Sequence, residues 1–192
     1  MLTEEKRKQG EEAVRKLLSC FNVDIDKREG MEETPKRVIK MLEEVWAYEG
    51  VSNAEIAKRF GKVFSTDDTE DIVVVKDIEC FSYCEHHLAL IYDMKVSVAY
   101  LPWNNRVISL SKVARIVEAC CSRLQLQERI GADIVDVMQR IVGYNVIVKI
   151  EAKHSCMTAR GIKNTGAKTT TVSTGGIFKE DMQYRQDALA LM

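Results

Sequence analysis

The sequence predicts an α+β fold: N-terminal helices, then an antiparallel four-stranded sheet with two helices on one face. Two observations carry this. The hydrophobic period is helical through the first third and switches to strand-like alternation near Ile72. From there the elements read β-β-α-α-β-β before a last helix, a run of hairpins and paired helices rather than alternating βαβ units. A third observation concerns function. The chain's three histidines all sit in two clusters that also hold cysteine, Cys84-Glu85-His86-His87 and His154-Ser155-Cys156.

Residues 3–20 form a highly charged first helix. Thr34-Pro35 starts the second, with Thr34 as N-cap and Pro35 at the first helical position. Val38, Met41, Leu42 and Val45 then mark one helical face. Ser52-Asn53-Ala54-Glu55 is a capping box opening a third helix. Ile72-Val73-Val74-Val75 begins a strand running toward Ser82, and Met94 to Tyr100 is another, stopped by Pro102. Helices follow from Leu110 to about Leu124 and from Glu128 to Val142, where Gly143 is the stop signal. Val146, Val148, Ile150 and Ala152 alternate against Ile147, Lys149, Glu151 and Lys153, giving a half-buried strand. Extending that alternation puts His154 and Cys156 on the buried face with Val148 and Ile150. Thr169-Thr170-Thr171-Val172 is the fourth strand, and a last helix covers roughly Glu180 to Leu191. The expected division is a helical region 1–66 and a catalytic domain 67–192 that includes the C-terminal helix.

Composition sets bounds. A chain of 192 residues suits one well-buried core with a helical appendage. The formal net charge of −1 gives no general field for nucleic acid or an anionic membrane, so any anion site is local. No apolar run approaches the ~18 residues of a membrane span, and Met1-Leu2-Thr3-Glu4-Glu5-Lys6 is too charged for a signal peptide. Six cysteines without a secretory signal point to a reducing cytoplasm, with thiols free or metal-bound. Cys20, Cys120 and Cys121 read as small hydrophobes in helices.

The two clusters fit zinc. Cys84 and His87 are a short-spaced pair, and Cys156 is a remote third donor. Three protein ligands with a fourth position for water describe a catalytic site, whereas a structural site is closed by four. His86 then projects elsewhere, free for proton transfer near neutral pH. Cys80 stands four residues before Cys84, and as a fourth ligand it would make the site structural. Lys112 and Arg115 share a face at the first turn of a helix, a seat for phosphate at the positive end of its dipole or simply a solvated basic face. Arg160 adds a guanidinium on the metal side. Gln127-Glu128 at a helix start reads as capping charge.

These residues stand in words that resemble the GTP cyclohydrolase I family in order: Thr34-Pro35-Lys36-Arg37-Val38, Ser82-Tyr83-Cys84-Glu85-His86-His87, Val98-Ala99-Tyr100-Leu101-Pro102, Leu110-Ser111-Lys112-Val113-Ala114-Arg115, Leu126-Gln127-Glu128-Arg129, His154-Ser155-Cys156-Met157-Thr158-Ala159-Arg160-Gly161 and Gly175-Gly176-Ile177-Phe178. The resemblance implies a T-fold sheet, assembled into a toroidal homodecamer with active sites shared between subunits. It implies a zinc-dependent hydrolase that opens the guanine imidazole ring of GTP at the head of folate and tetrahydrobiopterin synthesis. By the same resemblance Cys84, His87 and Cys156 hold one zinc per subunit, and His86 and His154 handle protons. Ser111 sits near the ribose, and Glu128 with Gln127 reads the guanine edge. Lys112, Arg115 and Arg160 grip the triphosphate, helped by Arg37 and Lys40 of a neighbouring subunit.

Two stretches depart from the family pattern. Ser109 stands where the family usually has Gly, at a cost of roughly 1–2 kcal/mol if φ is positive there. The stretch Leu88 to Met94 lacks the Gly expected after His-His. They motivate an alternative reading, a catalytically altered purine- or pterin-binding protein on the same scaffold.

Overall fold

Every helix and long strand expected from the sequence forms in the computed structural model, which describes residues 2–66 and 71–192. The expected division between 66 and 67 borders residues outside the described ones. Two compact units are present, Met1–Ala47 and Tyr48–Met192.

The first unit pairs α1 (Glu4–Cys20) with α2 (Thr34–Val45), joined through two 3-10 turns, Ile25–Lys27 and Glu29–Met31. Thr3 caps α1 by accepting the Lys6 N–H. The start of α2 differs from expectation. Thr34 is its first helical residue, and Glu33 at the cap makes no side-chain bond. Pro35 lacks an N–H, but the first turn has no intrahelical acceptor to lose, so the helix begins one residue earlier at no cost. The Arg7 guanidinium donates to both Glu43 carboxylate oxygens at 2.9 and 3.1 Å, tying α1 to α2. Cys20, expected to pack as a small hydrophobe, is exposed at the last residue of α1.

In the second unit, α3 (Asn53–Phe60) opens on the expected capping box, with Ser52 and Glu55 bonded reciprocally. The long strands are β2 (Val73–Cys84), β3 (Ala89–Tyr100), β6 (Val146–His154) and β7 (Thr169–Gly175). They pair antiparallel in the order β2-β3-β6-β7. A fifth strand, β5 (Leu124–Gln125), lies parallel to the end of β2, with Tyr83 opposite Leu124 and Cys84 opposite Gln125. Sequence patterning placed Leu124 in a helix, because two residues are too few to show a strand period. A separate ribbon pairs β1 (Val63–Ser65) with β4 (Arg106–Ile108).

Helices α4 (Leu110–Cys121) and α5 (Gln127–Val142) pack over one sheet face. Val96, Val98, Val148 and Ile150 of the sheet meet Ile116, Val117, Ile130 and Ile134 there, all fully buried. Side chains of opposite parity, Ala99 and Ile147, face Phe178 of α7 (Ile177–Glu180) and Ala188 of α8 (Met182–Leu191). The central strands are thus covered on both sides. The expected last helix forms as α8, two residues late, because Asp181 caps it by accepting from the N–H groups of Gln183 and Tyr184. Gly143 ends α5 at φ +102, where a side chain would also strike Trp103.

The α4–α5 connection is anchored by Arg123. Its guanidinium donates to the Val51 carbonyl at 2.6 Å, the Tyr48 carbonyl at 3.3 Å, Asn53 Oδ1 at 3.0 Å and Asp133 Oδ2 at 3.2 Å. Both charged side chains are largely withdrawn from water, at 12% and 17% exposure. Removing one partner of such a pair leaves an uncompensated charge, which costs about 3–5 kcal/mol. Arg123→Ala is therefore expected to lower unfolding free energy by that amount in urea titrations, and Asp133→Ala by a similar amount. A loss below about 1 kcal/mol in both variants would mean the pair is solvated.

Candidate metal centre and active site

The β2–β3 turn builds one half of the site. Cys84 is the last residue of β2 and is buried. The chain reverses over Glu85 to Leu88, with the Leu88 N–H donating to the Cys84 carbonyl at 2.9 Å. Leu88 closes the turn at φ +50. This is the place where the sequence lacks an expected Gly, and a Leu held there stores roughly 1–2 kcal/mol of strain. Ser109 is different. Its φ is −56, so the missing Gly costs nothing at the start of α4.

Two contacts hold the turn from the α5 side. The Glu85 N–H donates to the Gln125 carbonyl at 3.1 Å. The Glu85 carboxylate takes a forked bond from Arg129, at 2.5 and 3.1 Å, and that guanidinium holds the carboxyl below its usual range. Neither partner was singled out for this role from sequence, because an ion pair 44 residues apart leaves no periodic signal.

Cys156 arrives from the other side. The β6 alternation ends at His154, and Ser155–Thr158 forms a single helical turn, α6. Cys156 therefore does not continue the strand face as expected; the turn swings it toward Cys84. The donor atoms of Cys84, His87 and Cys156 all lie within 4.8 Å of one another. Tetrahedral zinc with Zn–S near 2.3 Å needs ligand atoms about 3.8 Å apart, so small side-chain rotations complete the set. Burial and the neighbouring Cys84 push the Cys156 thiol pKa upward. A divalent cation would remove that conflict by compensating both thiolates. The donor chemistry fits zinc. Cys80 takes no part: its Sγ lies 3.5 Å from Cys121 Sγ and 3.4 Å from Met94 Sδ, so the four-ligand structural reading fails.

His154 and Gln127 form a second unit of the site. The Gln127 amide nitrogen donates to the carbonyls of Ile150 at 3.1 Å and Thr169 at 3.0 Å, with Thr171 Oγ1 at 3.3 Å. Its Nε2 is thereby fully used, and its Oε1 must accept the His154 Nε2–H at 2.7 Å. The ring is held as the Nε2–H tautomer, leaving Nδ1 as its acceptor. Burial lowers the His154 pKa, against an opposing pull from Glu128, which favours the neutral ring. Gln127 is buried, whereas Glu128 beside it is exposed.

The cationic residues are less concentrated. Arg160 Nη1 lies 3.1 Å from His87 Nε2, beside the Cys84–His87–Cys156 cluster. Lys112 sits over the Phe60 ring at 5.7 Å, and Arg115 is exposed one turn further along α4. Ser111 Oγ is 3.2 Å from Ser109 Oγ. No hydrogen bond among the described residues joins this α4 group to the cluster. His86 is exposed, its ring edge-on to His87 with centroids 6.3 Å apart. Arg37 and Lys40 lie exposed on α2 of the first unit, where Arg37 pairs with Glu33 at 3.4 Å.

The three-donor geometry makes a direct prediction. The purified chain is expected to carry one zinc, and Cys156→Ser to lose most of it, by elemental analysis after dialysis. Full zinc content in Cys156→Ser would remove Cys156 from the ligand set.

The profile of the family described as GTP cyclohydrolase I matches residues 10–192. A GTP cyclohydrolase 1 from Ruminiclostridium cellulolyticum is 52% identical over 183 residues, 91% of this chain and 92% of the relative. One from Clostridium acetobutylicum is 51% identical over 186 residues, 94% of each chain. Among solved structures, the apo archaeosine synthase QueF-Like covers 57% of this chain and 98% of its own, at 20% identity and a TM-score of 0.46. With the match running through both cysteine–histidine clusters and on to the last residue, the chain belongs to the GTP cyclohydrolase I family.

Proposed function

We propose that this protein is a GTP cyclohydrolase that converts GTP and water to 7,8-dihydroneopterin triphosphate and formate, the entry step to folate or tetrahydrobiopterin synthesis. The observation carrying this reading is the convergence of Cys84, His87 and Cys156 with His154 and His86 close by in the chain, in a sequence about half identical to curated enzymes of that name. Zinc held by these three residues would supply Lewis-acid activation of water at neutral pH.

The remaining roles belong to the chain's own side chains. His154, neutral and fixed by Gln127, offers Nδ1 as a proton acceptor. His86, exposed beside the ligand His87, is free to protonate a ring nitrogen. Glu128 is the carboxylate available to accept from the guanine edge, while Gln127 acts through its neighbour, since its amide is already committed. Arg160 bridges metal site and substrate. A cation bound at His87 would repel it, turning the guanidinium toward the triphosphate with Lys112 and Arg115. Ser111, two residues past Ser109, would meet the ribose.

Assembly belongs to the same reading. Edge strand β7 and the outer side of β2 beyond its two-residue contact with β5 lack a strand partner among the described residues. Exposed ladders of this length are normally covered. Edge-to-edge pairing into a ring, a homodecamer of T-fold subunits, would cover them and let Arg37 and Lys40 of a neighbour complete the triphosphate seat. No helix among the described residues is long and apolar enough to cross a membrane, and free thiols in metal-ligand positions suit a reducing cytoplasm.

The test is to incubate the protein with GTP and follow pteridine fluorescence and formate together. Stoichiometric appearance of both is expected; GTP binding without formate would favour the altered-binder reading. His86→Ala is expected to keep zinc and GTP affinity but lose turnover by about 100-fold or more. Arg160→Ala should mainly raise the GTP dissociation constant. Normal turnover in His86→Ala would overturn the division between metal ligands and proton carriers.

A further inference from the structure

A second group of soft donors lies away from the zinc ligands. Cys80 of β2 and Met94 of β3 are directly opposite in the ladder, so their side chains leave the sheet on the same face. Cys121, the last residue of α4, comes down on them. The three sulfurs close a triangle: Cys80 Sγ to Met94 Sδ 3.4 Å, Cys80 Sγ to Cys121 Sγ 3.5 Å, and Cys121 Sγ to Met94 Sδ 3.9 Å. The Ser82 hydroxyl donates to the Cys121 carbonyl at 2.7 Å, which fixes the helix end above the strand pair.

We propose that Cys80, Cys121 and Met94 form a second metal site, suited to a soft monovalent d¹⁰ ion of the Cu(I) class. Thiolate and thioether are the donors that select such an ion. With metal–sulfur bonds near 2.3 Å, a trigonal site has edges of about 4.0 Å, so the observed triangle opens by only a few tenths of an ångström to admit one. The composition argues against zinc here. No His, Asp or Glu joins the three sulfurs in a donor cluster among the described residues. Met94 and Cys121 are each 1% exposed, which leaves little room for water as a fourth ligand.

Cys80 is the least buried of the three sulfurs. Cys80 is partly exposed and, with Met94, lines a cavity of about 340 Å³ shared with Glu79, Phe81, Asp93 and Lys95. Binding exchanges up to two thiol protons for one cation, the protons leave to solvent, and no electron is transferred. Cys121 enters as a protonated thiol, its pKa pushed up by the Cys80 contact and by burial. Its neighbour Cys120 is buried, its thiol pushed up to about 12, and among the described residues its sulfur makes no hydrogen bond to the triangle.

The experiment is an anaerobic Cu(I) titration against a competing chelator, with X-ray absorption at the copper edge. It uses the full native chain, Cys84→Ser, Cys121→Ser and Met94→Leu. Because Cys84→Ser disables the zinc ligands, it separates this site from the proposed catalytic metal whether or not that assignment holds. The expected result is one tightly bound copper with three sulfur neighbours in the native chain and in Cys84→Ser. Cys121→Ser should lose it, and Met94→Leu should bind about tenfold or more weakly. Cys80→Ser, at the more exposed position, serves if Cys121→Ser fails to fold. Undiminished binding in both cysteine variants, loss of binding in Cys84→Ser, or peptide mapping that finds a Cys80–Cys121 disulfide in place of bound copper would each overturn the proposal.

Discussion

The half-buried pair of Arg123 and Asp133 fixes the short connection between α4 and α5, and the β2–β3 turn and the Gln127–His154 unit both rest on that connection. Asp133 also accepts from Gln125 Nε2 at 2.8 Å and Asn53 Nδ2 at 3.0 Å, so one carboxylate gathers two donors from the connection and one from the start of α3. With the connection held, Gln125 can pair beside Cys84 and accept from Glu85, and Gln127 is placed two residues later under His154. A loop left to solvent could not hold these groups within hydrogen-bond tolerance. The geometry of the candidate site thus depends on a polar contact outside its cysteine–histidine cluster.

Gln127 carries the consequence further. A side-chain amide with both ends free can rotate and reverse its polarity, and an imidazole paired with it would lose a defined tautomer. Here the amide nitrogen is committed to carbonyls of β6 and β7, so the oxygen has one direction left. The same three bonds therefore hold two strands in place and determine which nitrogen of His154 carries the proton. Structural and chemical roles are not separable at this position.

Much of this was legible in the sequence because it was periodic or locally grouped. The six principal helices and four long strands announced themselves by spacing, and Cys84, His87 and Cys156 by the co-location of rare residues. What escaped was non-local or very short. β5 is two residues long, and its effect comes from meeting β2, 41 residues away in the chain. Arg123 and Arg129 look like any solvated cations until folding gives them partners. Cys20, set in a helix with no buried residue, shows the reverse error, since a burial preference is only a tendency. Cys156 lay on the far side of a change from strand to helical turn, so alternation put it near the right place for the wrong reason.

Charge ties the proposed chemistry to the surface. Two thiolates and one neutral imidazole offset a divalent cation, so a zinc-loaded cluster would be close to neutral and would give a triphosphate little net attraction. Attraction has to come from guanidinium and ammonium groups placed around the cluster. Arg160, against His87, is one such group, while Lys112 and Arg115 stand near the positive end of α4 with no hydrogen bond to the cluster among the described residues, and the chain as a whole stays at a formal charge of −1. On a nearly neutral chain a polyanion is attracted only where such groups stand together locally. The same reasoning explains why these cations are exposed. Buried, each would need a carboxylate of its own, as Arg123 does, and would have nothing left to offer a substrate.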